Sequence, residues 1–236
     1  MPTSYLHLPI AHAVAQHLGI ADLPAFLYGS VAPDWAQLFG RPRAETHFWT
    51  TDSDVSGALR LLTQFPQLQA SRLDVSARTF MAGYLCHLVT DEQWTFCLWR
   101  PYFGLRSSFA GGPEGIAFQN LFRQVLDDRE RNAKPDPNDL ASLLSVAEPV
   151  GDGLLPWLSS SDLEELRAVL LQRMAAKQPL QPTDEHARAI AYVRLESITD
   201  FRQRAEGESI KLVGDYLAGR SLRPPLGTEA PVTIAT

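Results

Sequence analysis

The chain reads as an all-α protein, and two observations carry that reading. Apolar residues recur at three- and four-residue intervals over most of its length, and no alternating strand of useful length stands out. Leu8, Ile10, Ala11, Val14, Ala15 and Leu18 form the first such stripe, with Gly19 as a natural stop. Residues 24–39 begin apolar and then turn at Val31-Ala32-Pro33-Asp34, where the proline biases the residue before it away from helix. Residues 40–54 read as a loop, and 56–69 as a helix interrupted at Pro66. The strongest periodic stretch, 76–99, predicts a long, mostly buried helix ended by Pro101. An amphipathic helix is expected over 118–131, closed by the polar KPDPND, and then a short apolar helix over 140–147. Ser161 with Glu164 reads as the capping box of a helix running to about 177. Thr183 caps a last long helix over 184–217, with Gly219 just past its end. The expected organisation is one helical bundle, residues 1–220. The Pro- and Thr-rich residues 221–236 are expected to be a disordered tail.

Composition narrows the function. Apolar residues make up 45% and charged residues 20%, the mix of a globular protein with a real core. The net charge of −6 offers no basic surplus to track a nucleic-acid backbone. Two cysteines, Cys86 and Cys97, make no disulfide framework and read as small buried hydrophobes. The N-terminus lacks a basic region of the signal-peptide kind, and no apolar run reaches about 18 residues. A cytoplasmic location without a transmembrane segment is the expectation.

Six histidines are present, and His87 has the most informative setting. In GYLCHLVTDEQW, His87 and Asp91 are four apart and share one face of an apolar helix. Imidazole and carboxylate at that spacing can close on one metal ion, and burying both without a partner is costly. A hydrogen bond along the helix face is the plain alternative. Asp34 in GSVAPDW and His47 in ETHFW are further candidates, each also explained singly by turn capping or by stacking on Trp49. Taken together, two Asp and two His suffice for a four-ligand metal site.

The order HLPIA, GSVAPDW, THFW, GYLCHLVTDEQW resembles the bacterial zinc-dependent phospholipase C family, whose superfamily includes the P1-type nucleases. The resemblance covers residues 5 to 95. It implies a helical bundle holding zinc, and hydrolysis of a phosphate ester or phosphodiester by metal-activated water. It implies that Asp34, His47, His87 and Asp91 bind one metal, and that Asp91 bridges to a second held by His7. Asp34 would also act catalytically as a proton acceptor. The amine of Pro2, freed by methionine removal, would complete the second metal, with a disordered N-terminus as the equal alternative. A third metal is not supported: Cys97 stands where the family has a histidine, and Ile190 follows His186 where it has a glutamate. One or two zinc ions are therefore expected. Glu45, Thr90 and Glu92 lie near the ligands as candidates for orienting them, while Trp35, Trp49, Trp94 and Trp99 are pocket-lining candidates or core aromatics. His12 and His17 read as surface or groove residues. A small-molecule or lipid phosphoester is the expected substrate. A non-catalytic zinc protein, or another metal-dependent reaction on this scaffold, is the alternative.

Overall fold

The computed structural model describes residues 3–49, 54–104, 113–131, 136–148, 150–176, 180–181 and 183–229. Helices dominate them, and apart from two isolated bridges no strand occurs among the described residues. In chain order they are α1 (Ser4–Leu18), α2 (Leu23–Gly29), the one-turn α3 (Trp35–Leu38) and α4 (Ala44–His47), α5 (Gly57–Gln64), α6 (Val75–Trp94), α7 (Pro113–Arg131), α8 (Pro137–Ser145), α9 (Ser160–Ala175), α10 (Asp184–Tyr192) and α11 (Leu195–Leu217). No helix among the described residues is long and apolar enough to cross a membrane.

Local chemistry sets many of the ends. Gly19 closes α1 at φ 64°, a left-handed conformation that favours glycine. Asp22 caps α2, Ser56 caps α5 and Asp74 caps α6, each side chain accepting from a backbone N–H of the first turn. Pro66 stops α5 and opens a 3-10 turn, as the sequence predicts.

Four expectations are corrected. The predicted loop 40–54 contains the helical turn α4, which carries His47. The capping box of α9 lies two residues earlier, between Ser159 and Asp162; a run of three serines offers several caps, and Asp162 closes the reciprocal pair with the first. Pro101 does not end the helix after α6. The chain continues through wider π turns over Thr95–Phe103 that take in the proline. The last long helix is broken, with Val193 and Arg194 extended between α10 and α11. That break buries Val193 and brings Tyr192 against Tyr102 and Phe103. Packing of that kind outweighs helix propensity.

At the centre is α6, buried on every side from Thr79 to Trp94, with α2 and α11 against it and α1 alongside. Contact between α2 and α6 depends on two glycines. A Cβ on Gly29 would lie 1.9 Å from the Phe80 carbonyl oxygen, and one on Gly83 would lie 1.9 Å from that of Phe26. Backbone thus meets backbone, which brings the turn after α2 up against His87. At the far end of α6, Trp94 sits between Phe122 of α7 and Phe201 of α11 and joins the C-terminal helices to the core. Part of the expected tail is described. The Ser56 amide donates to the Glu229 carbonyl, and Gln93 donates to that of Leu226, so residues up to 229 lie across the start of α5. Residues 230–236, and Pro2 with its amine, lie outside the described residues.

Candidate metal centre

Five separated side chains meet beside α6. His87 and Asp91 come from its middle, His47 from the end of α4, Asp34 from the 3-10 turn after α2, and His7 from the second turn of α1. All five are buried, His47 and His87 completely. Asp91 is the hub. Its Oδ2 lies 3.1 Å from Nε2 of His47 and 3.5 Å from Nε2 of His87, and its Oδ1 lies 3.4 Å from Nε2 of His7. Asp34 stands on the other side of His87, at 3.9 Å from Nε2. The His7 and His87 rings stack at 3.8 Å. Two sets therefore have ligand atoms close enough to share an ion: His47, His87 and Asp91, and His7, Asp34 and His87.

The hydrogen bonds around two of the imidazoles dictate which nitrogen faces inward. Nδ1 of His87 meets the Ser30 carbonyl at 2.8 Å. Nδ1 of His47 meets the Arg43 carbonyl at 3.2 Å and the Thr46 hydroxyl at 2.9 Å, and that hydroxyl already donates to the Pro33 carbonyl. These partners can only accept, so both Nδ1 atoms carry the hydrogen. Two Nε2 lone pairs then point at each other across 3.1 Å, which is repulsive without a cation between them. A tetrahedral zinc ion would hold two such nitrogens about 3.3 Å apart, each about 2 Å from the metal. Both nitrogens of His7 and Oδ1 of Asp91 are buried without a hydrogen bond, the condition of groups awaiting an ion. The donor set fits zinc in one position and leaves atoms for a second.

Electrostatics favour an ionised Asp91 and neutral His47 and His7. Burial works against a charge on Asp91, yet the Arg43 guanidinium beside it holds its carboxyl well below the usual range. Burial, with Arg43 beside it, pushes His47 down to about 4, and burial with His87 nearby lowers His7. His87 goes the other way: burial opposes its charge, but Asp91 and Asp34 outweigh that and raise it. A ring kept neutral is ready to ligate a metal.

The chain leaves α4 directly after His47. Phe48, just after it, adopts φ 55°, which costs a non-glycine residue about 1 kcal/mol. Its ring is held against Phe65 and Trp157. The Thr46 carbonyl accepts from Tyr84 of α6, tying α4 to the central helix.

The remaining candidates sit elsewhere. Glu45 pairs with Arg41 at the surface. Thr90 donates along its own helix to the Cys86 carbonyl. Glu92 faces away from Asp91, accepting from Ser56 and the Gly57 amide at the start of α5; burial raises its carboxyl to about 7. Trp35 packs on Phe39, Trp49 lies under the Arg43 guanidinium, and Trp94 is in the core. Cys97 lies near Arg204 and Asp200 of α11, apart from the two ligand sets. His186 bonds Gln124 and caps α10; His12 is half-buried and His17 exposed. Arg43 was not anticipated. Its guanidinium pairs with the Oδ2 of Asp91 that faces both imidazoles, and its place one turn before His47 was the available signal.

Asp34 is the link to solvent. It is the one candidate ligand in the wall of a cavity of about 620 Å³. The opposite walls come from α7 and α9.

No curated protein and no solved structure matches the chain. Residues 6–94, the segment that holds all five converging side chains, match the family model of zinc dependent phospholipase C, the family that the sequence motifs resemble.

Proposed function

We propose that this protein is a zinc-dependent hydrolase of phosphate esters, with His47, His87 and Asp91 as ligands of the first metal and Asp34 as proton acceptor. The observation that carries this reading is the position of Asp34. It touches the buried ligand cluster through His87 on one side and the cavity on the other. Zinc bound there would lower the pKa of a water from about 15.7 toward about 7 and polarise a phosphoryl oxygen. The chain's own residues do the rest. Ser30, Thr46 and the Arg43 carbonyl fix the imidazole tautomers. Arg43 keeps Asp91 ionised. Asp34, which accepts a long 3.4 Å hydrogen bond from Ser4, would take the proton of the attacking water at the cavity wall. His7 and Oδ1 of Asp91 would serve a second ion.

Protein freed of metal and titrated with zinc should hydrolyse bis(p-nitrophenyl) phosphate and short-chain phosphatidylcholine only when loaded. Asp34→Asn should keep the zinc held by His47, His87 and Asp91 and lose at least a hundredfold in kcat. Zinc uptake with no turnover on either substrate would reject the hydrolase. One observation favours a second reading: the cluster is so deeply buried that four protein atoms could close around zinc and leave no position for water. X-ray absorption on the zinc-loaded protein separates the two, since a catalytic site shows an oxygen beyond those of the protein.

A further inference from the structure

The family match ends at residue 94, yet about half of the residues that wall the cavity at Asp34 lie beyond that point. Along α7, Asn120, Arg123, Gln124 and Asp127 recur at helical spacing and line it as one polar stripe. Polar stripes usually face solvent. This one faces the cavity, with Asn120, Arg123 and Asp127 half-buried and Gln124 exposed, while Phe122 and Leu126 on the other side of α7 enter the core.

Arg123 is the half-buried cation of that stripe. Nη2 donates to Oδ1 of Asn120 at 2.5 Å, and Thr3 donates to Asp127 one turn further on. Burial disfavours the charge of Arg123, while the carboxylates of Asp127 and Asp34 support it. A guanidinium keeps its charge in such a setting and presents a planar fork that matches phosphate oxygens. Across the cavity, Leu38, Leu170 and Met174 supply an apolar wall.

We propose that this cavity is the substrate pocket, that Arg123 anchors the phosphate beside Asp34, and that the apolar wall takes an alkyl substituent of the ester. The inference rests on the hydrolase reading for its substrate class, but it can be tested by binding alone. The phosphate anchor and most of the apolar wall then lie in the C-terminal half, and the residues that hold the metal in the N-terminal half.

The test is calorimetric titration of the zinc-loaded full chain with dibutyl phosphate and with inorganic phosphate. Wild type should bind dibutyl phosphate more tightly than inorganic phosphate. Arg123→Gln should weaken both at least tenfold with zinc content and melting temperature unchanged, and Arg123→Lys should recover part of the loss. Gln37→Glu, which adds a negative charge at an exposed position of the same wall, should weaken binding several-fold and guards against misfolding of the Arg123 variants. Equal affinities in wild type and Arg123→Gln, or no binding by wild type, overturn the pocket. Hydrolysis of bis(p-nitrophenyl) phosphate is measured in parallel. Arg123-dependent binding without turnover leaves the pocket standing and removes the hydrolase. Turnover with an unchanged KM in Arg123→Gln does the reverse.

Discussion

Asp91→Asn keeps size and shape while removing the charge on which the centre converges. In zinc-free protein the variant leaves Arg43, whose side chain is only 19% exposed, against a neutral amide. Removing one partner of a buried ion pair costs about 3–5 kcal/mol, and the partial exposure of Arg43 puts this case near about 3 kcal/mol. For a chain of this length each kcal/mol moves the melting temperature by about 2–4 °C, so a drop of about 6–12 °C is expected. Zinc widens the gap. At a hundred times its Kd, the ion adds about 2.7 kcal/mol to wild type and little to the variant. The assay is differential scanning calorimetry in chelator and then in excess zinc. Arg43→Met is the control. It should also be destabilised in chelator, because Asp91 loses its cation, but zinc should restore it more than it stabilises wild type. An Asp91→Asn protein melting within about 2 °C of wild type in chelator, and rising equally in zinc, would sink both the hub role and the ligand assignment.

The packing sets three further expectations. Gly83→Ala sets a Cβ against a backbone oxygen that cannot swing aside, so α2 and α6 must part. A loss of about 3 kcal/mol or more is expected on thermal melting, with weaker zinc binding because Ser30 orients His87; a near-native melt would contradict the close crossing. Burial pushes the Cys86 thiol up to about 12, so at pH 8 only about one in ten thousand is thiolate, and a disulfide reagent should label it only after denaturation. Partly exposed Cys97 should label first, and equal rates would contradict the burial. Ser159→Ala removes the reciprocal cap of α9 and should cost about 1 kcal/mol; no change in the melt, with Ser161→Ala harmful instead, would restore the cap expected from the sequence.

How much was legible in the sequence depends on the range of the interaction. The all-α class, the stop at Gly19, the break at Pro66 and the shared face of His87 and Asp91 rest on spacing and backbone chemistry within a turn or two. Such rules operate before any tertiary contact exists. The π turns through Pro101 and the split between α10 and α11 were not legible, because Tyr102 and Phe103 pack on Tyr192, far along the chain. Motif order nominated the candidate ligands, but their convergence needed two glycines to bring α2 onto α6. His7 shows the division most plainly. In sequence it is a ligand only through the resemblance, with a disordered N-terminus as the equal alternative. Only the packing of α1 against α6 stacks it on His87 and buries both of its nitrogens without a hydrogen bond. Helical periodicity tells which face of a helix is buried; which residue of another helix it meets there depends on crossing geometry, set by contacts among side chains far apart in the chain.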